Sequence, residues 1–242
     1  MKKKFKLYLF ILALLFFRFK YAICSTVNTP DTSNIVVENK TDNRYEYIFK
    51  DKKGNVLFVK NLRKFYGFSE GVSTVVLMNW DYAILDENGN ISEIHFQELG
   101  QFFSEGKNYA KFLDGTTGFI DVRGNELFKI HIAEIDGFMA AISFSKGKSL
   151  IKQSDSIWIM INESGKELKK YKIQYAENFN CGLSRVTIEE NGRRKYNYIT
   201  YEGNYLSDSN FDYAETFYDD VALVKKNKKD FYINVNGKLI EK

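Results

Sequence analysis

Hydrophobic and polar positions alternate along this chain in short bursts, not at helical spacing. Apolar pairs recur just ahead of polar turns: Ile84-Leu85, Phe119-Ile120, Met160-Ile161, Tyr198-Ile199 and Tyr232-Ile233. Each pair is followed within five residues by a glycine, and with Gly54 these form the series Gly54, Gly89, Gly124, Gly165, Gly203 and Gly237, spaced 35, 35, 41, 38 and 34 residues apart. Three residues before each glycine stand Asp51, Asp86, Asp121, Asn162, Thr200 and Asn234. Asp and Asn side chains hydrogen-bond the backbone two residues on and so favour a turn, and glycine supplies the positive φ that closes it. Short runs rich in β-branched and aromatic residues between such turns predict strands. A fixed period of about 35 residues predicts stacked supersecondary units.

A second marker drifts with the first. Phe68, Phe103, Phe138, Phe179 and Phe217 each lie 14 residues after a turn glycine. On this phasing all length variation falls between the phenylalanine and the next glycine, in a hairpin whose tip faces solvent. The predicted tips are Lys146 to Ser156, Glu189 to Arg194 and Lys225 to Asp230. Leading strands are expected at Val72 to Leu77, Leu183 to Ile188 and Val221 to Val224, and third strands at Glu93 to Phe96 and Leu127 to Ile132. The first copy, from Ile35 to Gly54, matches the last, from Val221 to Gly237, as hairpins without a complete third strand. The expected fold is all-β: tandem three-stranded units, close to 17 strands, in an open or coiled array, with a closed propeller-like ring as the alternative.

The unit Phe103-Ser-Glu-Gly106, a hairpin, then Gly118-Phe-Ile-Asp121 with Gly124 resembles the bacterial WG-repeat (KWG-type) proteins. Phe68-Ser-Glu-Gly71 and Tyr213-Ala-Glu-Thr-Phe217 with Tyr232-Ile-Asn-Val-Asn-Gly237 follow the same pattern. The resemblance covers about residues 35–242. No copy keeps the Trp-Gly dipeptide of the family's name: Trp158 is followed by Ile, and Gly118 is preceded by Thr. The resemblance implies architecture and carries no catalytic residue set.

The N-terminus changes the charge argument. Lys2, Lys3, Lys4 and Lys6 precede an apolar run from Leu7 to Phe17, and Ala22-Ile-Cys24 follows. This is the layout of a signal peptide over residues 1–25, and the run is too short to span a bilayer as an ordinary helix. An uncleaved anchor over 7–24, or lipidation at Cys24, are the alternatives. The whole chain has 35 basic and 31 acidic side chains, a net +4. Six of the basic ones (Lys2, Lys3, Lys4, Lys6, Arg18, Lys20) lie in the leader, so the remainder has 29 against 31, or −2. Nucleic-acid binding is therefore not expected. Residues 26–34, with the sole proline Pro30, read as a polar linker, and 35–242 as one domain of about six hairpin units.

Candidate chemistry is sparse. Once a leader ending at Cys24 is removed, Cys181 has no intramolecular partner and stability must come from repeat packing. A nucleophilic Cys181 needs an oriented base, and the only histidines, His95 and His131, belong to strands of other units. Asp86, Asp121 and Asp136 form a catalytic set only if their turns converge. Each turn carries one or two carboxylates, too few for calcium's six to eight oxygens. No phosphate loop, G-x-S-x-G, H-E-x-x-H or C-x-x-C occurs. The sequence thus leads to no catalytic, cofactor or metal residues. It leads to a non-enzymatic, exported binding or protein-interaction module at the bacterial envelope or outside the cell. The alternative is a glycan- or cell-wall-binding protein whose exposed aromatics stack on sugars; an enzyme of unrecognised type ranks third. The tips at 146–156 and 189–195 are the expected contact points for an unknown protein or envelope glycan.

Overall fold

The computed structural model describes residues 34–39, 44–135 and 138–241. The leader, its Cys24 cleavage site, most of the linker and Asp136 lie outside the described residues. Every regular element described is a β-strand, and every strand pair is antiparallel. Unit 1 is β1 (Ile35–Asn39), β2 (Glu46–Asp51) and β3 (Val56–Asn61). Unit 2 is β4 (Lys64–Phe65), β5 (Val72–Val76) and β6 (Tyr82–Asp86). Unit 3 is β7 (Glu98–Leu99), β8 (Lys107–Lys111), β9 (Thr117–Asp121) and β10 (Glu126–Lys129). A separate small hairpin follows, β11 (Glu134–Ile135) with β12 (Phe138–Met139). Unit 4 is β13 (Lys148–Ser154), β14 (Ile157–Asn162) and β15 (Glu167–Lys172). Unit 5 is β16 (Tyr175–Ala176), β17 (Leu183–Glu190) and β18 (Arg193–Thr200). Unit 6 is β19 (Tyr213–Ala214), β20 (Val221–Lys226), β21 (Lys229–Asn234) and β22 (Leu239–Glu241).

The glycine turns form as the sequence predicts. Asp51 Oδ1 accepts from the N–H groups of Lys53 and Asn55, Oδ2 accepts from the Asn55 amide, and Gly54 N donates to Asp51 O. Asp86 and Asp121 repeat this pattern in full, while Asn162 and Asn234 repeat its backbone part.

The core is buried in slices. Five clusters each join one unit to the next, and none among the described residues spans the first and the sixth. Strand alternation sends one residue of each apolar pair each way. Phe49, Ile84, Phe119, Met160 and Tyr198 pack toward the following unit; Leu85, Ile120, Ile161, Ile199 and Ile233 pack toward the preceding one. At the two ends of the array these positions hold Lys50, ion-paired to Glu38 at 2.6 Å, and Tyr232, 38% exposed.

The all-β tandem array is as expected, with refinements. Among the described residues there are 22 strands, and the surplus is in two-residue strands such as β4, β7, β16 and β19, which pair with the inner edge of the hairpins. Units 3 and 6 are thereby four-stranded. The first copy has a full third strand, β3, contrary to the truncated form expected. In unit 2 the third strand at 93–96 is reduced to the bridges Leu85↔Ile91 and Tyr82↔Phe96. There the Ser92 hydroxyl accepts from Ile84 N and donates to Ile94 O, competing with a regular ladder.

Unit 4 departs from the expected phasing. Phe144, not Phe138, occupies the motif position in unit 4. It is buried, and the bridge Ser145↔Lys148 matches Ser69↔Val72, Ser104↔Lys107, Asn180↔Leu183 and Tyr218↔Val221. The spacing from Gly124 to Phe144 is 20 residues, where the other units have 14. The six-residue insertion therefore sits between units 3 and 4, where β11 and β12 form, and not at a hairpin tip. The segment 146–156 is accordingly no polar tip: Leu150 and Ile151 of β13 are fully buried. The tips at 189–194 and 225–230 are tight two-residue turns, with positive φ at Asn191-Gly192 and at Asn227-Lys228.

Candidate functional site

The motif phenylalanines open a line of contacts from unit to unit. Ser69 Oγ donates to Phe103 O at 2.9 Å and accepts from Phe103 N at 3.0 Å. Glu70 accepts from the N–H groups of Glu105 and Gly106, both at 2.8 Å. Ser104 Oγ donates to Phe144 O, and Glu105 accepts from Lys146 N at 2.5 Å and Gly147 N at 2.8 Å. The Glu of the F-x-E-G motif is thus a clamp on the next unit's turn. Units 4 and 5 carry Lys146 and Cys181 in its place, and unit 5 instead reaches on through Asn180 Nδ2 to Phe217 O at 2.9 Å.

Just before each motif phenylalanine runs an inner segment, pinned from beneath by buried polar groups. Thr74 Oγ1 and Asn108 Nδ2 donate to Gly100 O at 2.7 and 2.8 Å, Ser149 Oγ to Ile142 O at 2.6 Å, and Ser184 Oγ to Glu177 O at 2.5 Å. These groups were not singled out from the sequence. For Asn108, Ser149 and Ser184 the signal is a small polar residue five positions after the motif phenylalanine, visible only with Phe144 in register.

Where the inner segments of units 3, 4 and 5 meet, they enclose a cleft of about 630 Å³. Its apolar walls are Phe102, Tyr109, Tyr175 and Trp158; Gln101, Ser143, Glu177 and Asn178 add polar groups. Tyr175 and Phe102 are 48% and 41% exposed, and Tyr175 stands edge-on to the Trp158 ring, centroids 6.4 Å apart. Asn178 Oδ1 accepts from Ser143 N at 3.0 Å, tying two units together at the rim. Glu177 is already neutralised by Arg185 and accepts from Thr216 Oγ1 at 2.9 Å. Burial pushes the Tyr109 phenol up to about 12. Trp158 is 1% exposed, and its Nε1 has no hydrogen-bond partner among the described residues. A second cleft, about 770 Å³, lies beside the insertion between Lys111 and Glu134, and those two side chains pair with each other at 2.7 Å.

The structure scatters the candidates for chemistry. Asp86 and Asp121 each serve their own turn. Cys181 is disulfide-bonded and is no free nucleophile. His95 Nδ1 faces Asp81 at 3.2 Å. Among the described residues no three His, Cys, Asp or Glu side chains come together as a metal site. What the cleft offers is aromatic surface with uncharged hydrogen-bonding groups, the composition of a binding site.

No curated protein matches the chain. Similar solved structures include BamB from Moraxella catarrhalis (TM-score 0.48, 11% identity, 90% of this chain and 76% of that one) and Sqt1 from Saccharomyces cerevisiae (0.49, 13%, 86% and 70%). A eukaryotic initiation factor aligns at TM-score 0.50 and 14% identity, over 84% of this chain and 61% of that one. That likeness concerns fold alone, and this chain spans less than two thirds of the initiation factor. The family described as WG containing repeat matches residues 160–191 and 198–229. Both segments run from a turn-side apolar strand through the following motif, as the structural units do; the Phe103–Gly124 copy lies outside them. Over residues 160–191 and 198–229, then, the chain is similar to the WG containing repeat.

Proposed function

We propose that this protein is a non-enzymatic binding or interaction module, exported to the bacterial envelope or beyond, which takes its partner in the cleft formed by units 3, 4 and 5. The observation that carries this reading is the division of labour within each unit. Turn aspartates, motif serines and buried small polar groups fix the scaffold, while the inner-segment side chains differ from unit to unit and line the cleft. Repeat arrays present such surfaces without disturbing their core. The apolar leader layout supports export, and the net −2 charge beyond it favours a protein or glycan partner over nucleic acid.

Two measurements test this. Cell fractionation with intact mass should recover a species beginning near residue 25 outside the cytoplasm; a full-length soluble species overturns export. Full-length protein immobilised by its C-terminus should retain envelope material that Tyr175→Ala fails to retain. Equal retention by the variant removes the cleft from the proposal.

A further inference from the structure

Apart from the cleft, we propose that the adjoining hairpin tips of units 2 and 3 form a membrane-contact patch, seating Met78, Trp80 and Leu113 in the headgroup layer of an anionic phospholipid bilayer. The two tips are the same turn. Leu77 N donates to Asp81 O and Trp80 N to Leu77 O; Phe112 N donates to Thr116 O and Gly115 N to Phe112 O. Trp80 thus holds the place of Gly115, and the two have φ of +76° and +82°. A bulky residue is strained there, and such strain concentrates at functional positions. Core packing gives no reason for the ring, since Trp80 is 68% exposed. Met78 and Leu113, which also match in the turn, are 44% and 61% exposed. His95 Nδ1 faces Asp81 at 3.2 Å and Gln97 Nε2 donates to Leu113 O at 3.0 Å, so one short segment ties the tips side by side. Cations flank them. Arg63 lies 3.8 Å from the Trp80 ring centroid and donates to Met78 O at 2.9 Å. Its other side faces Tyr45, over which Arg44 lies at 4.8 Å. Neither arginine has a carboxylate partner among the described residues, whereas Asp81 accepts from Asn79 and Asp114 pairs with Lys129. The uncompensated charge beside the tips is positive, and its complement is an anion. Projecting tips have no walls to enclose a small ligand. A bilayer interface takes projecting apolar side chains without a matching pocket, favours Trp at headgroup depth and supplies phosphates to the arginines.

The test uses the full chain and vesicles of brominated phosphatidylcholine, with or without phosphatidylglycerol. The apolar run near the N-terminus can carry any variant to a vesicle, so the readout is quenching of Trp80 itself. The other tryptophan, Trp158, is 1% exposed and supplies the background. The expected result is a blue shift and quenching of Trp80, reached with the anionic vesicles at about tenfold lower lipid and weakened by salt. Arg63→Gln should remove most of that preference. Leu113→Asp should weaken the quenching about tenfold, the scale of one large apolar side chain left in water. Tyr218→Ala, exposed in the motif turn of unit 6, should change nothing. Trp80→Gly installs the residue that the twin turn already uses, so its thermal midpoint should stay within about 4 °C of the parent; a larger fall gives the ring a structural role and overturns the inference. A chain that sediments with vesicles while Trp80 stays unquenched, or quenching indifferent to Leu113→Asp, also overturns it. Loss of envelope retention in Trp80→Gly, with no quenching by either vesicle, assigns the tips to another partner and overturns the bilayer. None of these outcomes bears on the cleft, which Tyr175→Ala tests separately.

Discussion

Replacing the turn glycine should cost very different amounts in different units, although its backbone conformation is nearly the same. Gly54 and Gly165 have φ of +87° and +77°. A Cβ at Gly54 meets nothing within 4 Å, whereas at Gly165 it lies 2.5 Å from Phe128 Cδ2 and 2.8 Å from Cε2. Phe128 belongs to the preceding unit's third strand and itself packs at a tilt against Phe119, centroids 5.3 Å apart. The backbone penalty for an alanine at positive φ is about 1 kcal/mol in both. The loss of unfolded-state freedom is also common to both and cancels in the difference. Displacing the Phe128 ring adds an overpacking cost of about 1–3 kcal/mol at Gly165 alone. For a domain of this size each kcal/mol lowers Tm by about 2–4 °C. Gly54→Ala should therefore lose about 2–4 °C and Gly165→Ala roughly 4–16 °C, measured by thermal and urea unfolding. A double-mutant cycle with Phe128→Leu should return most of the excess. Equal losses at the two sites, or an excess that survives Phe128→Leu, would refute the idea that this glycine is required by the neighbouring unit's ring.

Three further outcomes are expected. Glu105→Ala removes the acceptor for Lys146 N and Gly147 N and should cost about 1–2 kcal/mol, the scale of charge-assisted bonds partly replaced by water; hydrogen exchange should quicken at those two amides and not at Glu105 or Gly106. Asp220 sits at φ +66° where the other motifs have Gly71, Gly106, Gly147 and Gly182, so Asp220→Gly should raise stability by about 0.5–1 kcal/mol in urea unfolding. Stability should also fall at both pH extremes. Hydrogen bonds from Asn55 hold Asp51 below its ordinary range, and the Thr116 hydroxyl and amide hold Asp114 at about 2, so these contributions are present above pH 4 and vanish as pH falls toward 2. Burial pushes the Tyr82, Tyr109 and Tyr171 phenols up to about 12, so the unfolded chain ionises first and stability declines between pH 10 and 12. A flat urea midpoint across either window would contradict those assignments.

The parts of the fold legible in the sequence were those fixed by local chemistry. An Asp or Asn three residues before a glycine needs only its own turn to act, and Asp51, Asp86, Asp121, Asn162 and Asn234 all form it. The two-residue inner strands were not legible, because Tyr175-Ala176 or Glu98-Leu99 has no period of its own and is held by a neighbour's hydrogen bonds. Phe138 competes with Phe144 for the motif position because both are Phe near a Gly, and the Ser145↔Lys148 bridge is what assigns it to Phe144. With Phe138 in that position the core strand β13 reads as a surface tip, and the polar residues beneath the inner segments fall out of register. The cleft was beyond the sequence for a different reason: Phe102, Trp158 and Tyr175 come from three units, and only stacking brings them together.

The end positions described earlier give the array a direction of growth. Each interior joint is a plug and socket, and any unit could in principle be copied and slotted between two others. A unit added ahead of the first would have to bury Lys50 and Glu38, whose 2.6 Å pair loses its water without gaining a partner. A unit added after the sixth would cover Tyr232, a side chain that already matches Phe119 and Tyr198 in kind. A further unit would therefore cost more to seat against the Lys50 face than against the Tyr232 face.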